Sequence, residues 1–152
     1  MGRVLTPSEV LPLIPQQEPF RFVDEIVELS AERAVGAYRW RPDAAFYRGH
    51  FPGNPVTPGV LLVESMAQCG VVPMALFLFH RDADEAEAAK FQTLFTDAQV
   101  EFSGIVRPGE RVTTESRALF YRRRKLRVEA SMKTEDGRVV CSGQLAGMGV
   151  PR

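Results

Sequence analysis

Gly49-His50-Phe51-Pro52-Gly53-Asn54-Pro55-Val56-Thr57-Pro58-Gly59-Val60-Leu61-Leu62-Val63-Glu64-Ser65-Met66-Ala67-Gln68 changes character halfway along, and that change decides the fold. Arg48 to Gly59 carries three prolines and three glycines in twelve residues. So many locked φ angles and missing N–H groups suit neither helix nor ladder, and the stretch reads as a stiff irregular loop. From Pro58 or Gly59 the apolar residues run on to about Phe79, predicting a long helix with Pro73 as its kink. The run approaches the roughly 20 apolar residues of a membrane span. It contains Glu64 and Gln68, however, and a carboxylate in lipid is costly, so the reading is a soluble core helix and no membrane span.

A stiff loop positions what it carries. This one carries His50, and Glu64 follows fourteen residues later inside the apolar helix. Imidazole titrates near ~6.5 when unperturbed and so serves as a base at neutral pH. Burial of Glu64 among Leu61, Val63 and Ala67 raises its expected pKa, because desolvation penalises the carboxylate, and a protonated Glu64 is a proton donor. Such a pair suits β-elimination of water: the base takes the proton next to a carbonyl while the acid protonates the departing hydroxyl. Gly59, where the helix begins, offers an unpaired N–H at the positive end of the helix dipole for charge building on the carbonyl oxygen. Residue chemistry alone leaves two plainer readings open, a loop histidine that only bonds its neighbours and a glutamate that only pairs with an arginine. His80, near the helix C-terminus, is assigned no catalytic role.

Outward from this segment, Thr6-Pro7-Ser8-Glu9 reads as a capped helix start running to about Leu13, with Glu9 closing a capping box. Phe20 to Leu29 and Ala34 to Arg41 read as paired strands. Arg81 to Lys90, rich in Asp, Glu and Ala, reads as a solvated helix end or surface connection. After Phe91 come strands, with turns at Arg107-Pro108-Gly109-Glu110 and Asp136-Gly137. Leu126, Val128, Ala130 and Met132 alternate with polar residues, the period of a half-buried strand. The architecture implied is α+β, an antiparallel sheet with one face against the long helix.

At 152 residues the chain fits one domain, 1–152. Nineteen basic residues balance nineteen acidic ones, which leaves no bulk charge to draw nucleic acid or an anionic membrane. Cys69 and Cys141 form no C-x-x-C pair or Cys/His cluster, so they read as reduced thiols of a cytoplasmic protein without a metal site. The N-terminal residues lack the apolar stretch of a secretory signal.

The run GHFPGNPVTPGVLLVESMAQ closely resembles the signature of the 3-hydroxyacyl-acyl-carrier-protein dehydratases of the FabZ type, in the hot-dog superfamily. Weaker similarity extends from about Glu9 to Gly147, through Pro19-Phe20, Val23-Asp24 and Val106 to Gly109. The resemblance implies a hot-dog fold, a long central helix wrapped by a curved antiparallel sheet. It also implies a homodimer, or a trimer of dimers, whose sheets join edge to edge and whose sites take the histidine from one subunit and the acid from the other. It assigns His50 as base, Glu64 as acid, Gly59 as oxyanion donor and Gln68 as the residue orienting Glu64, with Phe51, Pro58 and Val60 lining the substrate. The substrate it implies is an acyl chain on the phosphopantetheine of acyl carrier protein, with no metal or redox cofactor. Arg122, Arg123, Arg124, Lys125 and Arg127, the densest basic cluster, read either as the landing site for that acidic carrier or as a solvated strand edge protected by charge.

The chain departs from the family at Gln16-Gln17, where a His-Arg pair is common, and at Ser103-Gly104, where a basic residue is common. Neither lies in the catalytic pair. Fatty-acid and polyketide or other secondary acyl pathways both fit. The competing readings are a hot-dog acyl thioesterase, which the histidine loop disfavours, and a non-catalytic carrier-binding or dimer-partner subunit, which has no chemical need for His50 and Glu64. Isomerisation of the new double bond is disfavoured by a glutamate where such relatives use aspartate.

Overall fold

The computed structural model describes residues 2–152. Six strands form one antiparallel sheet: β1 (Glu25–Leu29), β2 (Arg33–Arg39), β3 (Phe91–Phe102), β4 (Arg111–Arg122), β5 (Lys125–Thr134) and β6 (Val139–Pro151). Their spatial order is β1-β2-β4-β5-β6-β3, which leaves β1 and β3 as edges. The central helix, Gly59–Asp82, spans 24 residues and lies in the hollow of the sheet, with 78% of its most apolar window buried inside the protein. It is a core helix.

The alternation expected in β5 is present, for Leu126, Val128, Ala130 and Met132 are all buried beneath the helix. Contact is close enough to need glycine. A Cβ on Gly70 would lie 2.1 Å from Ser116 Oγ, and one on Gly36 would lie 2.7 Å from the Cys69 Cβ. The kink expected at Pro73 takes the form of a π segment, Ala67–Val71, in which the Val72 N–H reaches back to the Ala67 carbonyl. Proline lacks an N–H and crowds the carbonyl four residues before it, so the ladder widens ahead of it instead of bending at it.

The strand expected over Phe20 to Leu29 is half right, because only Glu25–Leu29 is strand. Ahead of it, the Phe20 and Phe22 backbones are held by side chains of the helix. Gln68 Oε1 accepts the Phe22 N–H at 2.6 Å, Gln68 Nε2 donates to the Phe20 carbonyl at 3.0 Å, and Ser65 Oγ donates to the Phe22 carbonyl at 2.8 Å. Backbone groups satisfied in this way need no strand neighbour.

Thr6 caps the first helix, Pro7–Val10, as expected, but Glu9 turns to Arg3 and the Thr6 hydroxyl and the capping box does not close. Gly109 and Gly137 occupy their turns at positive φ. The β4–β5 hairpin turns on Arg123 and Arg124, at φ 52° and 64°. That is left-handed backbone, which asparagine and glycine adopt more cheaply.

Candidate active site

The loop carrying His50 is closed on itself. His50 donates its N–H to the Phe46 carbonyl at 3.0 Å, and its own carbonyl accepts the Val56 N–H at 2.8 Å. The Phe51 and Asn54 backbones bond each other in both directions, and the Thr57 N–H donates to the Val106 carbonyl. Tyr47 and Thr57 join hydroxyls at 2.6 Å in the buried floor beneath.

The imidazole completes this closure, with Nδ1 lying 2.7 Å from the Val56 carbonyl oxygen. A carbonyl only accepts, so Nδ1 carries a hydrogen, and in the neutral ring the lone pair is then on Nε2. Of the two neutral tautomers, the bond to Val56 selects the one with Nε2 unprotonated. The Phe51 ring stacks on the imidazole with centroids 4.2 Å apart.

Glu64 sits in the second turn of the central helix. Burial pushes its carboxyl pKa above the ordinary value, and the hydrogen bond from Gln68 Nε2 to Oε2, 2.8 Å long, opposes that rise without cancelling it. Gln68 is fully buried, and its bonds to Phe20 and Phe22 fix the amide that holds the acid. One carboxyl oxygen is thus committed to Gln68 while Oε1 remains available.

At the start of the helix Pro58 brings no side-chain cap. The Leu61 and Leu62 N–H groups both bond the Pro58 carbonyl, whereas the Gly59 and Val60 N–H groups have no partner among the described residues. These are the donors that a helix start leaves over for an anion. A Cβ on Gly59 would lie 3.0 Å from the Phe102 ring, which covers the turn closely. Val60 and Phe51 are 78% and 53% exposed.

A cavity of about 200 Å³ runs beside the helix from Glu64 past Ala67 to Val71 and Val72, between Phe20 on one side and Leu94, Phe95 and Gly147 on the other. His50 does not line it. One chain therefore presents Glu64 in an apolar groove and His50 on a separate loop. A larger concavity, about 710 Å³, lies on the outer sheet face among Arg33, Arg117 and Glu129 and holds neither group.

Nor does the chain place its basic cluster beside the acid. Arg123 and Arg124 line a hollow with Phe79 and Asp82, at the far end of the central helix. Eighteen residues separate Glu64 from Asp82, about 27 Å at the helical rise. Arg124 stacks over Phe91 at 4.2 Å, and Arg127 pairs with Asp97 across β6 at 2.9 Å. His80 is buried, with Nδ1 on the Leu76 carbonyl.

The roles of Ser65, Phe20 and Phe22 around the acid were not read from the sequence. Their one signal was Ser65 and Gln68, two polar residues in an apolar helix that must find buried partners. Among the described residues no group of acidic, histidine or cysteine side chains is arranged to hold a metal.

The FabA-like domain family matches residues 14–145. FabZ, a 3-hydroxyacyl-acyl-carrier-protein dehydratase of Caldicellulosiruptor bescii, is 36% identical over 141 residues, which cover 91% of this chain and 94% of that protein. The FabZ of Clostridioides difficile is 34% identical over 144 residues, covering 93% and 95%. Among solved structures, the dehydratase heterocomplex ApeI:P of Xenorhabdus doucetiae superposes with TM-score 0.73 over 99% of this chain and 94% of that one, at 18% identity. A thioesterase of Haemophilus influenzae superposes with TM-score 0.69 over the same shares, at 15% identity. The two superpositions speak for the hot-dog fold. The matched length and the identity to the FabZ proteins say more: the chain belongs to the FabA-like family, among the hot-dog dehydratases of the FabZ type.

Proposed function

We propose that His50 and Glu64 carry out the dehydration of 3-hydroxyacyl thioesters on acyl carrier protein to trans-2-enoyl thioesters. The observation that carries the reading is Glu64, a carboxyl pushed toward its protonated form in an apolar groove and fixed by a buried Gln68. His50 Nε2 takes the proton from C2, and the electron pair left behind forms the C2–C3 double bond as the C3–O bond breaks. Glu64 gives its proton to the departing hydroxyl, which leaves as water. The free N–H groups of Gly59 and Val60 receive the thioester oxygen while it bears negative charge.

The two groups come together across a pair of chains. β3 is twelve residues long and bonds only β6, and its exposed side chains include Leu94, Phe95 and Phe102. An unpaired apolar edge of that length suits pairing with a second β3, which seats one chain's loop against the other's groove. The whole chain, 1–152, then acts as one domain of a soluble cytoplasmic homodimer. Its two cysteines are free and buried, in keeping with a reducing compartment. The Arg122 to Arg127 cluster serves as a landing surface for the acidic carrier.

The experiment offers 3-hydroxybutyryl and crotonyl thioesters and follows enoyl absorbance together with free thiol. Enoyl change without thiol release is the expected result. Thiol release alone would assign a thioesterase, and silence in both with carrier binding intact would assign a scaffold subunit.

A further inference from the structure

Gln16 is the residue of the groove that the chemistry above leaves unused. It lines the same cavity as Glu64, and its side-chain oxygen Oε1 is sealed from solvent with no hydrogen-bond partner among the described residues. Its neighbour differs, for Gln17 spends its amide on the Ile14 carbonyl at 3.1 Å. The Gln16 backbone is anchored as well. The Arg21 guanidinium donates to the Gln16 carbonyl at 3.1 Å, to the Ile14 carbonyl at 3.3 Å and to the Leu11 carbonyl at 2.8 Å. A buried acceptor on an anchored backbone, in a residue that lines the groove of Glu64, lacks a donor among the described residues, and the O–H of a bound ligand would supply one.

We propose that Gln16 Oε1 accepts the hydrogen of the substrate's 3-hydroxyl and turns that oxygen's lone pair toward Glu64. The inference rests on the dehydratase reading. During elimination the hydroxyl oxygen takes a proton from Glu64 and the electron pair of the C3–O bond, and its original hydrogen becomes more acidic as the second one arrives. The bond to Gln16 therefore strengthens between ground state and transition state, which places its effect on kcat and not on KM.

The test compares two leaving groups. Wild type, Gln16→Met and Gln16→His are assayed with 3-hydroxybutyryl pantetheine, which loses water, and 3-fluorobutyryl pantetheine, which loses hydrogen fluoride and offers no hydroxyl hydrogen. Methionine keeps the length without a competent acceptor, and histidine restores an acceptor nitrogen. Gln16→Met is expected to lower kcat for water loss about 10- to 100-fold, the size of one unsatisfied buried group, with KM within about threefold. Fluoride loss stays at the wild-type rate, and Gln16→His recovers most of the water-loss rate. Unchanged water loss in Gln16→Met, or an equal fall for both substrates, overturns the inference, as does a histidine variant no better than methionine. Should Gln16→Met not fold, Gln16→Asn, whose oxygen is drawn back by one methylene, carries the same comparison. A wild-type protein that forms no enoyl product from either substrate refutes the dehydratase reading itself.

Discussion

Gln68 holds Glu64 by one end of its amide and the Phe22 backbone by the other, with the bonds 2.8 Å and 2.6 Å long. The direction in which the acid points is therefore set by the loop before β1. Gln68→Leu removes both bonds and strands the buried Phe22 N–H. The expected cost is about 1–3 kcal/mol of stability, read as a lower denaturant midpoint, together with a fall in kcat. Because the Gln68 bond lowers the Glu64 pKa, its removal also moves the acid's titration upward.

Glu64→Gln removes the proposed proton donor and retains the bulk. Turnover is expected to fall by about 10²–10⁴-fold, the usual scale for a general acid, with the circular dichroism unchanged.

The same substitution reads the pH dependence of stability. The folded-state pKa of Glu64 is raised above its unfolded value, so the folded protein binds this proton more tightly. Its contribution to stability is complete below the unfolded pKa and is lost as pH rises through the folded pKa. Wild type should lose denaturant resistance across that window while Glu64→Gln does not. Dehydration by wild type declines on the same alkaline limb as the acid loses its proton.

If each site is shared between subunits, His50→Ala and Glu64→Gln proteins are separately inactive but complement each other. Half of the randomly re-formed dimers are mixed, and each mixed dimer owns one intact site, so activity returns to about one quarter of wild type. Recovery that fails after verified subunit exchange would place both groups of a site in one chain.

Reversing the charges of Arg122, Arg123, Arg124 and Lys125 is expected to raise KM for carrier-bound substrate, more so at low salt, and to leave a small thioester analogue unaffected. Arg127 is a different case, since its partner is Asp97 within the sheet. Arg127→Glu therefore tests stability more than docking. Separately, Arg124→Gly relieves a left-handed arginine and is expected to stabilise the hairpin by up to about 1 kcal/mol, seen as a higher melting temperature.

What the sequence displayed well were periods and breaks. The Pro/Gly loop, the apolar run of the central helix and the alternation through Leu126 to Met132 each follow from local chemistry, and each stands where expected. Phe20 to Asp24 misled because its apolar composition fits a strand, while the Phe20 and Phe22 backbones are satisfied by Ser65 and Gln68, some forty residues away in sequence. Pro73 announced a break but not its form, a π segment over Ala67–Val71 just ahead of it. The acid's burial was legible from its neighbours. The tautomer of His50 was not, for nothing in the spacing says that the Val56 carbonyl would curl back onto Nδ1.

If β3 pairs with a second copy of the chain, its bare outer side ties the protein's persistence to its abundance. Its row of unpaired backbone groups and the phenylalanines beside it gain from a neighbour only when one is nearby, so apparent stability follows mass action. Diluting the protein should lower its melting temperature, and a variant with a lysine at Leu94 or Phe95 should melt at a temperature insensitive to dilution.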